Sequence, residues 1–258
     1  HSDGALYIVM EYVEGETLGH RLDTHSTVHW ETLVHIMNQV CHSLTEAHSG
    51  GLVHRDLKPE NIMLLSVAGD PNFVKVLDFG IAKERKAGAP DGQSLTEAGM
   101  IMGTPTYMSP EQGLGQKLDA RSDVYSLGVI LYEMATGRAP YNAETPMAVV
   151  IKHINDPLPP PHTLNAALPE SVERVILKSL AKNPDDRFAT AKEMVTALQA
   201  AVAETVLAPA AAPTKVAAPA PQPSTPPVVK KPAEDVHPAL SPPPVWQLAL
   251  LAAVGGDI

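Results

Sequence analysis

The sequence predicts an α+β fold that is mostly helical, with a few short strands near its start. Apolar residues recur at three- and four-residue spacing over Leu33, Ile36, Met37, Val40, Leu44 and Ala47, the pattern of a helix with one buried face. Two apolar runs, Ile62–Leu65 and Val74–Leu77, are too brief for helices and flank Gly69-Asp70-Pro71-Asn72, a turn composition that suits positive φ and a fixed proline φ. The 258 residues are 44% hydrophobic and 19% charged, a globular balance with length for one sizeable domain and a tail.

The elements follow in order. Leu6–Val13 reads as a buried strand after a turn at Asp3-Gly4. A helix is predicted from Trp30 to about Ser49, stopped by Gly50-Gly51. Leu52-Val53 leads into a polar loop, and a small hairpin with its turn at Gly69–Asn72 comes next. Residues 81–102 are polar, contain glycine and lack periodicity, which predicts a long loop. Ser122–Met134 is apolar almost throughout, so it reads as a buried helix, with Ser122 the favoured N-cap. Three more helices are predicted at about Pro146–Asn155, Glu170–Ala181 and Thr190–Ala203, with Asp156-Pro157 and Pro159-Pro160-Pro161 as breaks.

Composition changes near residue 205. About half of the 25 prolines fall between Pro209 and Pro244, mixed with alanine. Such a stretch cannot bury enough surface to offset its ordering entropy and favours extended geometry. The chain therefore divides into a domain at 1–204, a disordered Pro/Ala-rich linker at 205–244 and a short apolar segment at 245–258. That last segment is shorter than the roughly 20 residues that span a bilayer. It reads either as the start of a transmembrane helix, with Lys230-Lys231 before it, or as a small apolar tail. A net charge of −10 without a long Lys/Arg run argues against general nucleic-acid binding and leaves room for a local basic pocket for phosphates. One cysteine, Cys41, allows no internal disulfide and fits a reducing compartment. His35, His42 and His48 match no metal-ligand template and read as a solvated helix face.

Chemistry concentrates in His54-Arg55-Asp56-Leu57-Lys58-Pro59-Glu60-Asn61 and in Asp78-Phe79-Gly80, 17 positions beyond Asn61. Asp56 can accept a hydrogen bond from a hydroxyl and orient it for in-line attack. Lys58 can neutralise charge on transferred phosphoryl oxygens. Asn61 and Asp78 are hard oxygen ligands suited to magnesium. Each residue alone is uninformative, but the full string at this spacing is specific. Gly113-Leu114-Gly115 is no phosphate-binding loop, because it lacks a third glycine and a preceding strand.

With these motifs the chain resembles the C-terminal lobe of a protein kinase, most of all the bacterial receptor-like serine/threonine kinases, from about Leu6 to Ala203. The resemblance implies a protein-kinase-like fold, ATP and Mg2+ as cofactors, and transfer of the γ-phosphoryl group to serine or threonine hydroxyls of proteins. It makes Leu6–Val13 the last strand of the N-terminal lobe and the hinge, with Met10 as gatekeeper, Glu11 and Val13 bonding the adenine edge through their main chain, and Met63 beneath the ring. In another fold Met10 and Met63 would be ordinary core residues. Lys58 and Gly103-Thr104-Pro105-Thr106-Tyr107-Met108-Ser109-Pro110-Glu111 point to serine/threonine specificity, with Thr104 bonded to Asp56 and Lys58; Ser109 replaces the family's usual alanine. The resemblance also implies a buried ion pair between Glu111 and Arg187, and an Asp123 that accepts bonds from the loop backbone. Arg55 would pair with an activation-loop phosphate, for which Thr96 is the candidate, Ser94 the neighbour and a solvated loop threonine the alternative.

No glycine-rich phosphate loop, strand lysine or helix glutamate precedes these motifs, and Lys75 lies on the wrong strand to replace that lysine. The expectation is a fragment of a longer kinase, inactive by itself. Protein substrates, self-association for trans-autophosphorylation, a cytoplasmic kinase domain and a membrane anchor past the linker complete it. The competing reading is a non-catalytic C-lobe that docks proteins. A small-molecule phosphotransferase would not need the segment Gly103–Glu111.

Overall fold

The structure is a computed structural model that describes residues 11–25, 28–79 and 105–207. Its first strand, β1 (Glu16–Thr17), pairs antiparallel with β2 (Ile62–Val67), which pairs with β3 (Asp70–Val76), so β2 is central. The expected strand at Leu6–Val13 is corrected where it is described. Residues 11–13 have no regular structure, and the partner of β2 lies further on, where Gly15 approaches Leu64 so closely that a Cβ would sit 2.4 Å from its carbonyl oxygen.

The hairpin turn is also tighter than its composition suggests. Only Ala68 (φ 50°) and Gly69 (φ 90°) form it, a two-residue connection with two positive φ values, which matches the twist of paired strands. Asp70, Pro71 and Asn72 instead belong to β3. Proline is tolerated there because β3 is an edge strand and needs no outward N–H.

Helix α1 (Leu18–Thr24) follows β1 directly, started by Thr17, whose Oγ1 accepts the His20 N–H at 3.1 Å. Sequence patterning does not reveal it, because seven residues containing Gly19 and two charges show no period. Helix α2 (Trp30–Ser49) buries Leu33, Ile36, Met37, Val40, Cys41 and Leu44, and Gly51 at φ 78° turns the chain away after it. Helix α3 (Pro110–Gly113) is a single turn that periodicity could not show.

Helix α4 (Ala120–Thr136) is buried from Ser122 through Tyr132 and is the axis of the core. Its N-cap is Asp119, which accepts the Arg121 N–H, and not Ser122, which is already inside the first turn. Gly137 ends it at φ 82°. Around it lie α5 (Pro146–Asn155), capped by Thr145, α6 (Glu170–Ser179) and α7 (Ala191–Leu207). Helix α7 packs on α2 and α6, and α6 packs on α4. One apolar core joins α2, α4, α6 and α7 to the strands through Leu57, Ile62, Leu64 and Val74. Among the described residues, no helix is long and apolar enough to cross a membrane.

Candidate active site

Asp123 organises the loop His54–Asn61 from the first turn of α4. It is 1% exposed, and its carboxylate accepts the backbone N–H groups of His54 at 2.8 Å and Arg55 at 3.0 Å. His48 Nε2, in the last turn of α2, lies 2.7 Å from the same carboxylate. A buried carboxylate is tolerable only with such donors around it. His48 is thus no solvated helix residue, its side chain being 11% exposed. Arg55 takes φ 63°, a left-handed turn that points the next residue, Asp56, out of the packed layer.

His54 ties this loop to the segment that carries Asp78. Its imidazole is fully buried, Nδ1 accepts the Asp56 N–H at 3.3 Å, and Nε2–H donates to the Leu77 carbonyl at 2.9 Å. The ring also lies 4.8 Å from that of Phe79. Leu77 N–H donates to the Asn61 carbonyl at 2.8 Å. Both backbone groups of Leu77 are therefore held by the loop. Asp78 follows at φ 51° and is exposed.

Within the loop, Lys58 Nζ stands 3.8 Å from Asp56 Oδ2. Asn61 is 8% exposed and donates Nδ2–H to the Asp56 carbonyl at 2.8 Å. That bond engages the amide nitrogen, so the amide oxygen is the atom a cation would meet. An amide oxygen together with the Asp78 carboxylate is a hard-oxygen pair, which fits Mg2+ with phosphate and water completing its shell.

The remaining predicted residues scatter according to role. Glu11 is exposed and ion-paired with Lys75, and Val13 is half-buried. Met63 is buried on β2, opposite Thr17 on one side and Lys75 on the other. Met10, Thr96 and Thr104 lie outside the described residues, as do Gly80 and the segments 208–244 and 245–258. Arg187 holds Glu111 through two bonds of 2.8 Å and donates to the carbonyls of Ala181, Arg121 and Lys182. Burial pushes the Glu111 carboxyl up, but the bonds and charge of Arg187 outweigh it and hold the group below its ordinary range.

Residues 105–109 rest on α4. Tyr107 donates its hydroxyl to Glu133 at 2.7 Å, and Ser126 Oγ donates to the Tyr107 carbonyl at 2.8 Å. Burial raises both Tyr107 and Glu133, and Glu60 and Asp23 raise them further. These acidic groups line a cleft of about 240 Å³ beside Pro59. The cleft borders the loop but includes none of Asp56, Lys58, Asn61 or Asp78.

Residues 1–198 match the protein kinase domain family. The chain belongs to the protein kinase domain family. The chain is 46% identical over 200 residues to the serine/threonine-protein kinase pkn3 of Myxococcus xanthus, covering 77% of this chain and 36% of that protein. It is 44% identical over 188 residues to the serine/threonine-protein kinase PknB of Mycolicibacterium smegmatis, covering 73% and 29%. The chain spans about a third of the length of such curated relatives. Its fold matches a mutant form of the Mycobacterium tuberculosis PknI kinase domain with a TM-score of 0.56 at 22% identity, covering 75% of this chain and 64% of that one. It also matches Rad53 1-466, crystallised in complex with AMP-PNP, with a TM-score of 0.58 at 25% identity, covering 72% and 44%. The kinase fold predicted from the two motifs is therefore the fold observed.

Two residues of the site carry no local sequence signal. His48 sits 75 positions from its partner Asp123, and Gln112 sits 57 positions from Arg55, whose carbonyl it binds at 2.7 Å. No local spacing rule reaches across such distances.

Proposed function

We propose that the natural full-length protein transfers the γ-phosphoryl group of ATP to serine and threonine hydroxyls of proteins. The observation that carries this reading is the tethering of the Asp78 segment to the loop of Asp56, Lys58 and Asn61 through both backbone groups of Leu77. In it, Asp56 accepts a hydrogen bond from the substrate hydroxyl and aligns it for in-line attack. Lys58, close to Asp56, meets the charge that grows on the transferred phosphoryl oxygens. Asn61 Oδ1 and the Asp78 carboxylate hold Mg2+, which supplies charge neutralisation at the phosphates when bound. Met10, Glu11, Val13 and Met63 cradle the adenine, Thr104 positions the substrate segment, and Thr96 is the activating phosphosite paired with Arg55.

The same reading makes 1–204 the kinase domain, 205–244 a linker whose first residues continue α7 to Leu207, and 245–258 the start of a membrane anchor, in a receptor-like protein whose kinase domain is cytoplasmic. Self-association for trans-autophosphorylation belongs to it as well. The test is phosphoamino-acid analysis of a general protein acceptor incubated with the full-length protein, Mg2+ and γ-labelled ATP. Label in phosphoserine and phosphothreonine is expected. Label confined to phosphotyrosine overturns the specificity, and no label under any Mg2+ or Mn2+ condition favours the protein-docking reading.

A further inference from the structure

We infer that Gln112 is a positioning residue for Asp56, acting through the peptide bond that joins Arg55 to Asp56; this rests on the catalytic reading of Asp56 above. Gln112 Nε2 donates to the Arg55 carbonyl at 2.7 Å. That carbonyl belongs to the Arg55–Asp56 peptide plane. Its direction sets ψ of Arg55 and φ of Asp56 together, and so the line along which the Asp56 side chain leaves the backbone.

The plane needs a hold, because Arg55 is a non-glycine residue at φ 63°. A backbone in that region persists only where its surroundings fix it. Asp123 grips the Arg55 N–H from α4 at 3.0 Å, and Gln112 grips its carbonyl from α3. The two faces of one strained residue are thus held by two separate helices.

Gln112 is itself held with its amide in one orientation. Its Oε1 accepts the Ser109 N–H at 2.9 Å and the Ser109 hydroxyl at 3.1 Å, closing the capping box of α3. With the oxygen turned to Ser109, the nitrogen must face Arg55. Helix α3 is fixed in turn by the Glu111–Arg187 pair and by Gly113, which packs so tightly on Val150 and Ile154 of α5 that a Cβ would come within 2.7 Å of Val150 Cγ1. A rigid path therefore runs from α5 and Arg187 through one side chain to the residue before the base.

The two roles of Gln112 separate cleanly by substitution. Glutamate serves a capping box as well as glutamine does, so Gln112→Glu keeps the bonds to Ser109. It loses only the donor to Arg55 and sets a carboxylate oxygen against that carbonyl. Gln112→Ala loses both functions. The experiment measures the single-turnover phosphorylation rate, the KM for ATP and the thermal midpoint of the full-length protein, its Gln112→Glu and Gln112→Ala variants, and Asp56→Asn as the reference. The inference expects Gln112→Glu to melt close to the wild type and to keep its KM for ATP. Its transfer rate should fall roughly tenfold to a hundredfold, the scale of a misplaced reacting group. A Gln112→Glu rate equal to that of the wild type overturns it, as does a rate loss that only accompanies a drop in melting temperature. If Asp56→Asn transfers phosphate at the wild-type rate, the catalytic reading itself fails, which is a different outcome from a silent Gln112→Glu.

Discussion

His153 is 1% exposed, with Nδ1 2.9 Å from the Tyr125 hydroxyl and its ring edge-on to Tyr125 and Tyr141. Burial, then the neighbouring Lys182 charge, lowers its pKa from 6.5 to about 4. Lys182 is itself lowered to about 8, mainly by burial, while donating to Tyr141 and to the carbonyls of Lys152 and His153, and Arg187 lies over the Tyr125 ring. The sign follows from which state binds the proton. Between pH 6.5 and about 4 the unfolded chain protonates His153 and the folded chain does not, so stability is lost as pH falls through that window. From pH 7 to pH 5 we expect a loss of about 2 kcal/mol in the wild type and a clearly smaller loss in His153→Gln, read from urea midpoints. Equal losses in both would contradict it. At this scale the sequence is legible where partners are close in the chain. Asp56, Lys58 and Asn61 announce themselves by spacing. His153, His48 and Gln112 do not, because their surroundings come from other elements; a buried histidine and a surface one are spelled alike.

The elements divide along the same physical line. Helices α2 and α5 can be bounded from periodicity, glycine and proline alone, since each has enough turns to show one apolar face. Helices α1 and α3 are too short for a period, and the Ala68-Gly69 turn is hidden by the more turn-like Asp70-Pro71-Asn72. The central helix α4 is legible as buried, but not the closeness of its packing. At Gly128 a Cβ would lie 2.8 Å from Ser179 Cβ and 3.1 Å from Leu180 Cγ, at the end of α6. Alanine is the better helix former by about 1 kcal/mol, yet overpacking a core costs about 1–3 kcal/mol. A serine Cβ cannot swing aside as a long side chain can. Gly128→Ala is therefore expected to lower the urea midpoint, by about 1 kcal/mol net. An unchanged or raised midpoint would show that α4 and α6 have room to separate.

Across the whole molecule, packing and chemistry meet at α4. The helix that supplies the core also carries Asp123, which holds the loop backbone, and Ser126 and Glu133, which hold Tyr107. The Glu111–Arg187 pair fastens α3 to the far side, with side chains 4% and 0% exposed. Losing one member of such a pair leaves a buried charge unmatched, at about 3–5 kcal/mol. This scaffold explains how residues as strained as Arg55 and Asp78 keep positive φ values beside the proposed catalytic groups. The function proposed for it depends on Asp56 as the acceptor of the hydroxyl hydrogen bond. The most direct test is single-turnover transfer from ATP to a protein acceptor by the full-length protein and by Asp56→Asn, with nucleotide affinity measured alongside. We predict a rate loss of roughly 10²–10⁴ for Asp56→Asn with ATP affinity close to that of the wild type. Transfer by Asp56→Asn at the wild-type rate would contradict the assignment.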